Sequence, residues 1–399
     1  MSAVVRLAAK GDGVTAEGKH VPLAVPGDLI AEDGSVIAGA HHVDPVCRHF
    51  GTCGGCQLQH ADDEVLRGFV RDRVVNAAKG QEIEIGEVLP EHLSPPESRR
   101  RATLHALRTA RGAVLGFKGA GSHRLVDLEH CPVLRPELTG LLERLRAFVA
   151  DHGPKGNVDI ALSLSDQGVD LGLSHFPLEG LAATEAALDF AREHALARLT
   201  IDQSYGAETV WEPEPVTISL SGFPVGMPPG AFLQATGDAE ARMVADAAEW
   251  LGDARIVADL FSGLGTFSFA LAQDGPTGRK VLAAEADQAA HLACKAASGR
   301  TAGKVIAMHR DLFRNPLQAA ELNRFDGALL DPPRAGARAQ VAEIAASQLS
   351  RLVYVSCNPS SWARDATVLV EAGYRLTRLR PVGQFRWSTH VELVSLFER

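Results

Sequence analysis

Between Arg255 and Pro359 the chain repeats one pattern five times: a short apolar run, a turn, then residues of helical periodicity. The runs lie in RIVADL, KVLAAEAD, KVIAMHRD, DGALLDPPR and RLVYVSCNP. They are short, rich in β-branched residues and lack polar alternation, as strands buried on both faces do. Such strand–helix alternation predicts α/β architecture: a doubly wound, Rossmann-like, mostly parallel sheet. In open sheets of this kind, ligands sit in the crevice outside the carboxyl ends of the strands. Those ends carry chemistry here. Glu285, Asp311 and Asp331 close the second, third and fourth runs, and Cys357 closes the fifth. Pro359 cannot continue a central ladder, so the fifth run must stop at Ser356-Cys357-Asn358.

The first run passes into Asp259-Leu-Phe261-Ser-Gly263-Leu-Gly265-Thr266 and then into a helix. Gly263 and Gly265 permit a tight turn and close approach of the backbone to a ligand. No third glycine follows at the spacing used for dinucleotides. Acids on successive strand ends, with glycines in the first turn, fit an adenosine-bearing cofactor without a pyrophosphate, namely S-adenosylmethionine. Glu285 is placed to accept hydrogen bonds from its ribose. A cysteine at the edge of this crevice is either a buried structural thiol or a nucleophile.

Cysteines also organise the earlier half. Three of the six crowd into Cys47-x5-Cys53-Gly-Gly-Cys56, and Cys131 follows in LEHCPVL. In a reducing compartment this clustering points to a metal site rather than to disulfides. Zinc and iron–sulfur are both candidates, and three close cysteines with one remote suit a 4Fe–4S cube better than paired C-x2-C arms. With 399 residues there is room for several domains. Residues 1–43, punctuated by Gly-Asp-Gly, Pro-Gly-Asp and Glu-Asp-Gly, suggest a small β unit; 44–235 read as a central α+β domain, and 236–399 as the sheet domain. In the central domain Arg99, Arg100, Arg101, Arg108, Arg111, Lys118 and Arg124 form a basic stretch within a chain of formal net charge −9. It is either a phosphate-binding surface or a solvated face. The C-terminal tail reads as two strands ending the sheet in an antiparallel hairpin edge. Glu392, inside the apolar HVELVSLF, either faces outward or is desolvated and tuned as a base.

In this order, CRHFGTCGGCQLQH, LEHCPVL, DLFSGLGTFSFALA, DPPRAG, VYVSCNP and STHVELV resemble the motifs of bacterial RNA (uracil-5-)methyltransferases, in particular the iron–sulfur-containing branch acting on 23S ribosomal RNA. The N-terminal GDGVTAEGKHVPLAVPGDLI is similar to a shortened TRAM domain, an OB-like unit. The resemblance implies Cys357 as a nucleophile toward carbon 6 of uracil and Glu392 as the base for the carbon-5 proton. It implies that Gln234, Phe261, Glu285, Asp311 and Asp331 line the pocket for S-adenosylmethionine and uracil, with Gly263, Gly265 and Thr266 in the turn beside the cofactor. It implies Cys47, Cys53, Cys56 and Cys131 as ligands of a 4Fe–4S cluster, in a central domain that also binds RNA. Some positions depart from the family pattern. Ser262 stands where many members have cysteine, Thr266 where asparagine is common, and Gly383-Gln384-Phe385 replaces Asp-x-Phe.

Two rivals belong to other classes. Asp331-Pro-Pro-Arg resembles the signature of amine methyltransferases, which need no nucleophilic cysteine. A non-catalytic iron–sulfur RNA-binding protein could also retain this fold. Within the favoured reading, transfer RNA is the alternative substrate. No apolar run approaches membrane-spanning length and the N-terminus lacks a signal-peptide pattern, so a cytoplasmic protein, monomeric and with no membrane partner, is expected.

Overall fold

The computed structural model describes residues 1–203 and 206–399 and divides into two compact units. The first comprises Met1–Phe69, Ser94–Val216 and Phe385–Thr389; the second comprises Val70–Leu93, Thr217–Gln384 and His390–Arg399.

The first unit opens with a five-stranded sheet of short strands from Ser2–Leu7 to Val36–Ile37. All its pairings are antiparallel. Its small core is Val4, Val21, Ala24 and Ile30. Beyond the cysteine loop lies a six-stranded sheet containing Arg101–Thr109, Gly112–Gly116, Asn157–Ser165, Gly168–Ser174, Arg198–Asp202 and Ala207–Trp211. Arg101–Thr109 and Asn157–Ser165 alternate buried and less buried residues, and Leu104, Ile160, Leu162 and Leu171 form a core with Leu145, Phe148 and Phe190 of the helices Leu142–His152 and Gly180–Glu193.

The second unit is built on the expected sheet. Its main strands are β1 (Ile256–Leu260), β2 (Lys280–Glu285), β3 (Val305–His309), β4 (Gly327–Leu330), β5 (Arg351–Ser356), β6 (Arg375–Gly383) and β7 (Glu392–Glu398). They lie in the order β3-β2-β1-β4-β5-β7-β6. The first five are parallel; β7 runs antiparallel between β5 and β6. Every residue of β4 is buried, and β5 is buried from Leu352 to Ser356, as apolar runs with no polar face require. The connecting helices are α1 (Gly237–Leu251), α2 (Thr266–Asp274), α3 (Gln288–Ser298), α4 (Arg338–Ala346) and α5 (Pro359–Glu371). Thr236, with extended backbone, caps α1 by accepting a hydrogen bond from the Ala239 amide.

The hairpin β6–β7 is not the edge of the sheet. Strands Ile85–Val88 and His92–Leu93, far upstream in the chain, pair parallel with β6 and extend the sheet beyond it. Four- and two-residue strands leave no periodic signal. Among the described residues, no helix is long and apolar enough to cross a membrane.

Candidate active site and cysteine cluster

Cys357 sits where three local signals coincide. Strand β5 ends at Ser356, Asn358 caps α5 by accepting from the Ser360 amide at 3.1 Å, and Pro359 takes the first helical turn, where its missing N–H costs nothing. The half-buried thiol therefore lies just before a helix N-terminus, which favours an anion there. Ser356 pairs with Leu393 across the antiparallel β5–β7 ladder. Glu392, the first residue of β7 and buried at 5% exposure, therefore comes to the same sheet end as Cys357. Burial, then the carboxylates of Glu392 and Asp331, push the Cys357 thiol up to about 11, against a downward pull from Arg334.

Asp331 leaves the end of β4, next to β5. Its carboxyl is held well above the ordinary carboxylate range by burial first, with Glu392 and Asp259 adding to the effect and Gln234 opposing it. Gln234 Nε2 donates to Asp331 Oδ2 at 3.2 Å. The following Pro332–Ala337 segment is fastened to β5 and α5. Asn358 Nδ2 and Ser361 Oγ donate to the Arg334 carbonyl at 2.9 and 3.0 Å, and Asp365 Oδ2 accepts from the Ala337 amide and the Tyr354 hydroxyl at 2.7 and 2.8 Å.

At the end of β1, the turn residues Phe261, Gly263 and Gly265 all have positive φ, at 65°, 55° and 95°. At Gly265 a Cβ would come within 2.7 Å of the Phe269 ring and 3.1 Å of Cys294 Sγ, whereas at Gly263 it would meet open space. The turn is thus packed on one side and open on the other. Asp259 is fully buried, and its carboxyl is pushed up to about 7 chiefly by burial, with Ser268 opposing and Glu285 adding. Ser268 Oγ donates to Asp259 Oδ2 at 2.5 Å; among the described residues, Asp259 Oδ1 and the buried Ser262 Oγ have no hydrogen-bond partner. Buried polar atoms left this way beside an open turn fit a polar ligand. Thr266 begins α2.

Glu285 closes β2 and accepts from the Gly263 amide at 2.8 Å and from the Ala286 and Asp287 amides at 2.7 Å each. Asp311, just beyond β3, accepts from the Phe313 and Arg314 amides at 3.0 and 3.2 Å. That turn places the exposed Phe313 ring 5.3 Å from the Phe261 ring. The second unit therefore contains all the residues predicted for catalysis and cofactor binding: most lie at or just beyond the ends of its parallel strands, Gln234 precedes α1, and Glu392 begins the antiparallel β7. Sequence reasoning missed Asp365 and Phe313 and gave Gln384 no function. A carboxylate between Trp362 and Leu369 on the buried face of α5 was a readable signal for the first.

The predicted metal ligands lie in the first unit. None of the six cysteines is in a disulfide. Cys131 is buried and Cys47, Cys53 and Cys56 are half-buried. Burial pushes the Cys56 thiol up to about 12; Gln59 opposes this, and Cys131, Cys53 and Cys47 add to it. Burial also raises Cys53 and Cys131, whose thiols are further raised by neighbouring cysteines. Among the described residues, however, no set of three or more Cys, His, Asp or Glu side chains is gathered as a metal-ion site. The loop after Cys56 holds the Phe385–Thr389 segment: the Gln57 and Leu58 amides donate to the Trp387 carbonyl at 2.7 and 2.9 Å, and Arg99 lies over the Phe385 ring at 5.0 Å. The basic stretch is divided in its roles. Arg99 is partly buried in that contact, while Arg108, Arg111, Lys118 and Arg124 are exposed. A groove of about 810 Å³ runs past Thr52, Ala120, Ser122, His123 and Arg124, beside the cysteine loop.

The strand order, the open glycine turn and the acidic strand ends together define a methyltransferase of the S-adenosylmethionine-dependent class. A family model described as tRNA (uracil-5-)-methyltransferase matches residues 223–399. An uncharacterised RNA methyltransferase of Zymomonas mobilis is 49% identical over 401 aligned residues, spanning 100% of both chains. The 23S rRNA (uracil(1939)-C(5))-methyltransferase RlmD of an Enterobacter species is 32% identical over 89% of this chain and 82% of that enzyme. The Pyrococcus abyssi tRNA (uracil-54, C5)-methyltransferase, solved with S-adenosyl-L-homocysteine, shares the fold with a TM-score of 0.76, at 22% identity and over 100% of both chains. This chain belongs to the RNA (uracil-5-)methyltransferase family.

Proposed function

We propose that the protein methylates carbon 5 of a specific uridine in 23S ribosomal RNA, with Cys357 as nucleophile and Glu392 as base. The observation that supports this best is the β5–β7 register, which brings a thiol and a buried carboxylate to one strand end beside Asp331. Carbon 5 of uracil is a weak nucleophile. Addition of the Cys357 thiolate to carbon 6 forms an S–C bond and moves the C5=C6 electrons into an enolate, which makes carbon 5 nucleophilic. S-adenosylmethionine, when bound, supplies an electrophilic methyl group. Glu392 then takes the proton from carbon 5, the C–H electrons restore the double bond, and the S–C6 bond breaks to release the thiolate. Arg334 and the α5 N-terminus favour that thiolate, and the carboxylates of Glu392 and Asp331 oppose it.

The Gly263–Gly265 turn, Asp259, Glu285 and Asp311 would hold the cofactor, with Gln234, Phe261, Thr266 and Asp331 around its reactive end and the uracil. Glu285 adds to the raised proton affinity of Asp259, and Glu392 and Asp259 add to that of Asp331. A ligand bearing a sulfonium and an ammonium relieves that repulsion, which supports S-adenosylmethionine on electrostatic grounds. Cys47, Cys53, Cys56 and Cys131 would hold a 4Fe–4S cluster. The burial of these thiols and the repulsion among them support this assignment, because a soft cationic cluster stabilises the thiolates that burial disfavours. Its role would be structural, bracing the loop that grips Trp387. The exposed cations and the groove beside that loop suit RNA phosphates, and a target base within a stem must be flipped out to reach Cys357. The protein would act in the cytoplasm as a monomer. Transfer RNA is the second substrate reading, favoured by the description of the matching family model. Incubating the purified chain with tritiated S-adenosylmethionine and RNA from cells lacking the gene tests the proposal: label in 5-methyluridine of 23S rRNA supports it, and label confined to transfer RNA selects the second reading.

A further inference from the structure

Gln384, just beyond β6, is a buried carboxamide, 1% exposed, and is not itself among the residues expected to touch substrate. Its Oε1 accepts from the Ala235 amide at 2.9 Å, and its Nε2 donates to Gln234 Oε1 at 3.2 Å. Gln234, itself buried, donates from Nε2 to Asp331 Oδ2 at 3.2 Å. A carboxamide can be turned over at almost no cost when isolated, so its orientation must come from its partners. Here one partner cannot be reversed. The Ala235 N–H can only donate, so Gln384 must present its oxygen there, its NH2 to Gln234, and Gln234 its own NH2 to Asp331. The backbone thus sets the polarity of the whole chain, and the chain ends in a donor aimed at a carboxylate.

We infer that Gln384 is a positioning residue that, through Gln234, keeps Asp331 a hydrogen-bond acceptor and so favours uracil over cytosine. Uracil presents an N3–H donor at its pairing edge, and cytosine presents a bare N3 acceptor. An ionised Asp331 accepts from the first and has nothing to give the second; a protonated Asp331 reverses the preference. The pull toward protonation is strong, because Asp331 is desolvated and faces Glu392 on β7, Asp259 at the end of β1, Glu240 on α1 and the Cys357 thiol after β5. The Gln234 donor is the named contact that opposes it. The inference rests on the reading of the site as a uracil methyltransferase centre.

The test uses the full-length chain, an RNA fragment carrying the mapped target uridine, and the same fragment with cytidine there. Gln384→Met removes both relay bonds at similar size. Gln384→Glu keeps the bond from Ala235 and the side-chain shape, and stands in if the first variant folds poorly, as judged by melting and by binding of S-adenosylhomocysteine. Either variant is expected to move the acid limb of kcat/KM for uridine up by roughly one pH unit, the loss of one charged hydrogen bond. The uridine-to-cytidine preference is expected to fall roughly tenfold at neutral pH. Gln384→Met added to Gln234→Met is expected to move the acid limb and the base preference no further, since Gln384 reaches Asp331 only through the Gln234 side chain. An unmoved acid limb with an unchanged base preference in an active variant overturns the inference, as does a full additional loss in the double variant. A wild-type chain that methylates neither fragment overturns the uracil reading itself.

Discussion

At the scale of single residues, the site separates two roles that either carboxylate or thiol alone could not fill. In the proposed mechanism, Cys357 makes the bond to the base and Glu392 allows it to break. Glu392→Gln is therefore expected to trap RNA on the protein: with S-adenosylmethionine present, a protein–RNA band should survive denaturing electrophoresis, and Cys357→Ala should give none. An adduct in the alanine variant would remove Cys357 from the mechanism. The acids make a second prediction. Asp259, with its folded pKa raised to about 7 from the usual 3.8, and Asp331, raised in the same direction, bind protons more tightly folded than unfolded. Their contribution to stability is fully present below the ordinary carboxylate range and is lost as pH rises through the raised values. A cationic ligand offsets that loss. The rise in Tm with saturating S-adenosylmethionine is expected to grow between pH 5.5 and 8, relative to neutral S-adenosylhomocysteine, and the growth should shrink in Asp259→Asn. Equal rises for both ligands at every pH would contradict it.

At the scale of elements, the turn after β1 and the cysteine loop each place their residues through backbone geometry. Gly265→Ala puts a Cβ at φ 95° and within 2.7 Å of the Phe269 ring, so it should cost about 1–3 kcal/mol in denaturant unfolding and weaken cofactor binding measured by calorimetry. At Gly263 the space is open, and the smaller cost comes from φ alone. For the cysteine loop, serine at Cys53 and Cys56 should release the Gln57 and Leu58 amides from Trp387. Hydrogen exchange at 57–58 and 385–389 should rise at least tenfold with the sheet core unchanged; unchanged exchange at these amides would sink the bracing role. The elements also show what could be read in advance. The five apolar runs announced the parallel strands because each lacks a polar face. The SCNP sequence announced a strand stop and helix cap because cap and proline act locally. What stayed hidden was non-local: the Ile85–Val88 edge strand, the strapping of Pro332–Ala337 by Asp365, and the relay through Gln384. That last residue read in sequence only as part of a departure from the family pattern. Its function depends on Ala235 and Gln234, 149 and 150 residues away.

At the scale of the whole molecule, each unit carries its own chemistry: thiols, cations and a groove in the first, and a methyl-transfer site in the second. The net charge of −9 does not describe either, since Asp259, Glu285, Asp311 and Asp331 stand at strand ends of the second unit while Arg108, Arg111, Lys118 and Arg124 are exposed in the first. The central claim is that this second unit modifies a uridine through Cys357. The most direct test is mass mapping of 5-methyluridine in ribosomal and transfer RNA from cells lacking the gene, complemented with wild-type or Cys357→Ala protein. The account predicts that one 23S rRNA mark disappears, returns with the wild-type chain and stays absent with the alanine variant. Persistence of every 5-methyluridine in the deletion, or restoration by Cys357→Ala, would contradict it.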